Sequence, residues 1–208
     1  LRTNPFSKPF AMNFPVIEKD CSDRELQKRI IDECHSIGDV QGNQTNVHAN
    51  MTSWFMHETN DDFMSLSDIA VEVAYDNSPT KVLLMPYDCW GVVYNKNDFG
   101  KPHDHWPAIW SWVYNVECCD DCAPLQFDDA NISVRPKNGN MVMFPGWVKH
   151  SVPKHQCDHE RIIVAGNLGL NPWWMVNRLN IQRQEVSEKY KNIAELGMKE
   201  LTKLQNTK

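Results

Sequence analysis

The feature that most constrains this chain is a change of period. From Lys81 on, seven short apolar runs follow one another: KVLLMPYDCWGVVYN, AIWSWVYNV, PLQF, ISVRP, NMVMFP, KHSVP and RIIVAGNLGL. Gly, Pro, Asn and Asp separate them. Apolar residues at every second position mark a strand, because successive side chains point to opposite faces. Short strands at this spacing specify an all-β sandwich or jelly roll rather than a parallel sheet. Lys137-Asn138-Gly139 reads as a hairpin turn of type I′, which suits Asn-Gly.

Upstream the period is mostly helical. Pro5 to Pro15, with Phe6, Phe10 and Phe14, reads as an extended opening strand. Ser22 followed by Glu25 has the form of a capping box. Behind it Leu26, Ile30, Ile31 and Cys34 recur at helical spacing, predicting a helix over 23–36 that Gly38 and Gly42 end. MTSWFMH reads as a strand. Phe63, Leu66, Ile69, Ala70 and Val73 predict a second amphipathic helix over 61–75. Val186, Tyr190, Ile193, Leu201 and Leu204 predict a long C-terminal helix over 178–204, which covers the sheet or a partner and allows a homodimer. Without an internal repeat or a clear linker, 1–208 reads as one domain with its β core at about 80–172.

Charge narrows the function. The net charge is −6, and residues 178–208 carry +3, which leaves −9 on the rest. An acidic body disfavours a nucleic-acid backbone as partner. No run approaches the roughly 18 apolar residues of a membrane span. The opening LRTNPFSKPF has no Met and no apolar stretch, so it is expected to be neither a signal peptide nor a natural start. The cysteine count, seven, is odd. That argues against a disulfide framework and points to a reducing cytoplasm.

The chemistry concentrates in KPHDHWPAIWSWVYNV, residues 101–116. If 102–106 is extended, His103 and His105 point to one side and Asp104 to the other. Two imidazoles on one face can hold one metal ion. The best third candidate is His150, delivered from a later strand in RPKNGNMVMFPGWVKHSVP. Eleven residues further on, Arg161 shares a strand face with Ile163, Ala165 and Asn167. An arginine in such apolar company suits capture of a carboxylate by two parallel N–H···O bonds.

Taken together, these segments resemble the 2-oxoglutarate/Fe(II)-dependent oxygenases, in a branch found in bacteria and their phages. The likeness rests on PHDHWPAIWSWVYNV, PLQFDD, PKNGNMVMFPGWVKHSV and RIIVAGNLGLN, roughly residues 90 to 172. It implies a mainly β fold, a double-stranded β-helix (jelly roll, cupin-like) core with flanking α-helices. It implies Fe(II) held by His103, His105 and His150, with Arg161 on the distal carboxylate of 2-oxoglutarate. It also implies O2 as oxidant, a small-molecule or peptidyl substrate, and hydroxylation in the cytoplasm of a bacterial or phage-infected cell. One departure stands out. Most members place Asp or Glu where His105 stands, so three neutral imidazoles leave the ion more positive. Asp104 would substitute only if the backbone bulged.

Other residues carry two readings each. Asn95 and Asn167 are candidates to hydrogen-bond co-substrate or ligands. Trp110, Trp112 and Tyr114 alternate onto one face, as core by default or as a substrate wall. Gln126 faces either the pocket or solvent. In ECCDDC, Cys119-x-x-Cys122 has zinc-knuckle spacing that Cys157 and His159 would complete. The plainer reading is a hairpin loop of free thiols beside Asp120, Asp121, Asp128 and Asp129. His35, His48, His57, His155 and His159 read as ordinary residues. Two rivals to the oxygenase remain: a cupin-type three-histidine enzyme without 2-oxoglutarate, and a non-catalytic jelly-roll binding or assembly protein. The first predicts Arg161 salt-bridged away from the metal; the second predicts histidines bonded to backbone around an ion-free site.

Overall fold

The structure, a computed structural model, describes residues 13–41, 45–79, 81 and 84–170. Backbone contacts divide the chain into Leu1–Leu170 and Asn171–Lys208. The expected helix at 178–204 and any dimer through it lie outside the described residues, as does most of the expected strand at Pro5–Pro15.

The chain opens with β1 (Ile17–Asp20) and α1 (Arg24–Ile37). The N-cap of α1 is Asp23, not Ser22: the Asp23 carboxylate accepts from the Glu25 and Leu26 amides. Ser22 instead donates its hydroxyl to Asp20 at 2.6 Å. A carboxylate one residue later outcompetes the serine, since negative charge is favoured at a helix N-terminus. Leu26, Ile30 and Cys34 form the buried stripe, and Gly38 ends the helix at φ 68°. Next come β2 (Val47–His48) and β3 (Asn50–Met51).

MTSWFMH is not the expected strand. The regular ladder ends at Met51, where the Thr52 hydroxyl takes the Gly91 amide at 2.9 Å, and only single backbone bonds follow, from Thr52 to Gly91 and from Cys89 to Trp54. A short helix, α2 (Met56–Thr59), follows, then α3 (Asp61–Asn77), capped by the Asn60 side chain. Phe63, Leu66, Ala70 and Val73 form the inner face of α3, as the spacing predicts.

All seven apolar runs contain strands. They are β4 (Met85–Tyr94), β6 (Trp110–Glu117), β7 (Leu125–Phe127), β8 (Ile132–Val134), β9 (Asn140–Pro145), β10 (His150–Val152) and β11 (Arg161–Gly169), with β5 (Phe99–His103) before β6. They form two antiparallel sheets, in the orders β1-β9-β6-β11-β4-β3 and β2-β5-β10-β7-β8. β4 pairs with β11, β5 with β10, β6 with β9, and β7 with β8. First pairs with last, second with second-last, and so on inward. That nesting is a long hairpin wound into a double-stranded β-helix, and the fold is mainly β.

The turn at Lys137–Asn140 differs from its reading. Asn140 donates to the Lys137 carbonyl at 3.0 Å, and Gly139 has φ 77°. Asn138 does not share the positive φ that type I′ needs at both central residues. The turn joins β8 to β9, which lie in different sheets, so it closes no hairpin.

Two cores result. One face of the larger sheet meets α1 and α3 through Trp112, Tyr114, Met141 and Val164. The other meets the smaller sheet through Val92, Val113, Phe127, Phe144 and Ile163. Alternation along β11 sends Ile162 and Val164 to the helices, and Ile163 and Ala165 between the sheets. The site lies between the sheets.

Candidate functional site

His103 ends β5 and His150 begins β10, and the two are register partners in the smaller sheet. His105 lies just beyond β5, where its amide donates to the Gly146 carbonyl at 2.7 Å. The three rings converge, with centroids 4.4 to 5.0 Å apart. One nitrogen from each lies within 4.8 Å of the others. His103 Nδ1 contacts the Lys101 carbonyl at 2.6 Å, and His150 Nδ1 the Val148 carbonyl at 3.0 Å. A carbonyl can only accept, so each Nδ1 carries its proton and each Nε2 keeps a lone pair. Burial holds all three imidazoles below their usual pKa, His105 down to about 3. Unprotonated imidazoles brought this close suit a borderline metal ion such as Fe(II).

Asp104 does not join them. It is exposed, and its carboxylate accepts from the Trp106 amide at 3.1 Å, closing a local turn. A half-buried carboxylate, Asp88, lies one layer back. Asn167 donates to Asp88 at 2.8 Å, accepts from the Ser111 hydroxyl at 2.6 Å, and sits 3.5 Å from His105 Nδ1. Burial pushes the Asp88 carboxyl up to about 6.

Arg161 begins β11 opposite Tyr94, with its guanidinium 5.4 Å from that ring centroid. It is 1% exposed, and its Nε and Nη1 have no hydrogen-bond partner. Among the described residues no carboxylate forms an ion pair with it. It lines, with Tyr94, Phe144 and all three histidines, a narrow cavity of about 40 Å³ between the sheets. Burial lowers the pKa of the guanidinium and raises the Tyr94 hydroxyl to about 12. Arg161 and Asn167 are six residues apart on one strand face, about 20 Å along the backbone. Asn167 therefore stands beside His105, at the other end of β11 from Arg161.

His103 and His105 also border a wider cleft of about 390 Å³, shared with Trp54, Asp88, Trp90 and Asp104.

Several candidates fall elsewhere. Asn95 is exposed in the turn after β4, where its amide donates to Asp98, so it lies away from the cavity. Gln126 points to the outer face of its sheet, since alternation turns Leu125 and Phe127 inward. Trp110 and Tyr114 are core residues on the helix side, hydrogen-bonded to the Ser78 hydroxyl and the Cys21 carbonyl. Trp112 is buried in the same cluster and borders the narrow cavity. Asn167 reaches His105 rather than the guanidinium. Tyr94, Ser111 and Asp88 join the site without having been anticipated. Asp88 had a signal: a carboxylate interrupting the apolar run KVLLMPYDCWGVVYN.

Comparison with known proteins adds two findings. Residues 126–167 match a family model described as "Putative 2OG-Fe(II) oxygenase". No curated protein matches the sequence. Among solved structures, the fold is similar to viral collagen prolyl hydroxylase from Paramecium bursaria Chlorella virus-1 in its 2-oxoglutarate complex. The TM-score is 0.55 and the identity 10%, over 74% of this chain and 96% of that one. A prolyl-4-hydroxylase from Pseudomonas putida gives TM-score 0.57 at 14% identity, covering 75% and 92%. HygX from Streptomyces hygroscopicus, with nickel and 2-oxoglutarate bound, gives 0.57 at 11%, covering 76% and 83%. At such identities the likeness is one of fold. The matched segment contains His150, Arg161 and Asn167, and the solved structures share the jelly-roll fold.

Proposed function

We propose that the protein is an Fe(II)- and 2-oxoglutarate-dependent oxygenase that hydroxylates a small-molecule or peptidyl substrate. The observation that carries the reading is Arg161. A buried guanidinium with unpaired N–H groups, in one cavity with three convergent imidazoles, calls for an anion. Leaving such a charge uncompensated costs several kcal/mol. A carboxylate is the planar acceptor that matches its fork.

His103, His105 and His150 would hold the metal, and the histidines fit it through their free Nε2 lone pairs and backbone-fixed rings. When bound, Fe(II) would supply activation of O2, so that O2, 2-oxoglutarate and a substrate C–H together give succinate, CO2 and C–OH. The chain's own work is positional. Lys101 and Val148 carbonyls orient two of the rings. Arg161 fixes the distal carboxylate, with the Tyr94 ring packed against the guanidinium. Val92, Val113, Phe144 and Ile163 keep water from the space between.

The substrate would enter by the wider cleft beside His103 and His105. Its described lining includes Asp88 and Asp104 and no Lys or Arg. That polarity favours neutral or cationic groups over phosphates. The cupin-type alternative requires Arg161 to be salt-bridged away from the histidines, and its position in their cavity argues against that.

Anaerobic titration with Fe(II) and 2-oxoglutarate tests the proposal. The expected result is a weak visible charge-transfer band that His150→Ala abolishes. No band in the folded wild-type protein, with no succinate released under O2, would falsify it.

A further inference from the structure

A second cluster lies apart from the histidines. Cys119 and Cys122 occupy the turn after β6, and Cys157 lies in the loop between β10 and β11. Their three sulfurs form a nearly equilateral triangle: Cys119 to Cys122 is 3.6 Å, Cys119 to Cys157 is 3.8 Å, and Cys122 to Cys157 is 3.7 Å. All three thiols are free.

The triangle has the dimensions of a metal site. Zinc binds thiolate at about 2.3 Å, and a tetrahedral angle then sets neighbouring sulfurs about 3.8 Å apart. A disulfide explains the arrangement less well. It needs sulfurs at about 2.05 Å and joins two, leaving the third without a role. The turn is also built to present its sulfurs. The Cys122 amide donates to the Cys119 carbonyl at 3.1 Å, and the Cys119 amide points at Cys122 Sγ at 3.3 Å.

The surrounding imidazoles are engaged elsewhere. His159 pairs with Glu117 at 3.1 Å, so the sequence pattern that would have completed the site with His159 is not realised. His155 is fully buried, with Nε2 3.2 Å from Cys157 Sγ. Its Nδ1 accepts from the Ala123 amide at 3.3 Å, so its Nε2 carries the proton, donated to the His159 carbonyl at 2.6 Å. It braces the cysteine loop and offers the metal no lone pair.

We infer that Cys119, Cys122 and Cys157 bind one zinc ion as three thiolates, with water completing the tetrahedron. Soft sulfur donors select zinc over the oxygen-preferring divalent ions. Binding displaces three thiol protons and involves no change of oxidation state. The ion ties the turn after β6 to the loop that leads into β11, a link otherwise made by weaker contacts.

Cobalt(II) is the probe, added under nitrogen to full-length protein freed of metal by chelation and reduced with a phosphine. The expected result is an intense sulfur-to-cobalt charge-transfer band in the near ultraviolet, saturating at one equivalent and erased by zinc. Cobalt on the three histidines gives no such band, so the assay reads this site whatever becomes of the oxygenase proposal. Cys157→Ser should weaken the thiolate-linked binding at least tenfold. The inference fails if the fully reduced wild-type protein shows no charge-transfer band, or if Cys157→Ser leaves band and affinity unchanged. Should that variant not fold, the wild-type titration decides alone.

Discussion

Arg161 sits where a charge is expensive, and that makes it informative. Replacing it by methionine keeps the volume and removes the unpaired charge. Arg161→Met should leave ligand-free stability unchanged or up to about 2 kcal/mol higher in urea denaturation, because the lone buried cation is gone. The same variant should weaken 2-oxoglutarate by on the order of 100-fold, the worth of a charge-assisted pair, while Fe(II) still binds. A variant that loses iron together with 2-oxoglutarate would place Arg161 in the metal site itself. Asp88 supports a pH prediction. Its carboxyl is raised to about 6 by burial, against an ordinary value near 3.8. Below that ordinary value both folded and unfolded forms are protonated and the residue costs nothing. As pH rises from there through 6 the folded protein must ionise a half-buried acid, and stability falls by roughly 3 kcal/mol. Asp88→Asn keeps an acceptor for Asn167 and removes the titration. In metal-free protein the two should have similar denaturation midpoints at pH 4, with the variant more stable at pH 8.

At the scale of elements, one register decides the site. β5 and β10 pair so that His103 faces His150, and Gly146 carries the backbone that receives the His105 amide. A methyl group at Gly146 would collide with the Ala108 carbonyl, which belongs to the loop carrying His105. Gly146→Ala should therefore cost about 1–3 kcal/mol as overpacking. It should also loosen iron roughly tenfold, since one of three ligands is displaced while the β5–β10 register survives; an Fe(II) competition assay reads this directly. The same elements show what was legible. All seven runs with period two contain strands, because alternation is a local property. The start of β5 at Phe99 was missed, although 102–106 reads as extended, because Gly100, Lys101 and Pro102 look like a loop. It is extended because β2 and β10 hold it from both sides. MTSWFMH misled for the converse reason: its composition suits a strand, but beyond Met51 it keeps only single backbone bonds to β4 before α2 begins at Met56.

At the scale of the whole unit, ligand binding should appear as stability. If Fe(II) and 2-oxoglutarate seat between the sheets, 2-oxoglutarate at 100 times its Kd adds about 2.7 kcal/mol. For a domain of this size that raises the anaerobic melting midpoint by roughly 5 to 10 °C. 2-Oxoglutarate without metal should do markedly less, since the histidine end then offers the ligand no cation. Among the described residues no helix is long and apolar enough to cross a membrane. The sequence by itself determined the β-rich fold, the helices at α1 and α3, and the inward face of β11 carrying Arg161 and Asn167. These follow from periods read within a few neighbouring positions. Only the tertiary structure decided which of the eight histidines meet, that Asn95 and Gln126 turn away, that Asp88 stands behind Asn167, and that three cysteines close a triangle. Those outcomes depend on register between strands tens of residues apart, and one-residue slips, invisible to local periodicity, would reverse each of them.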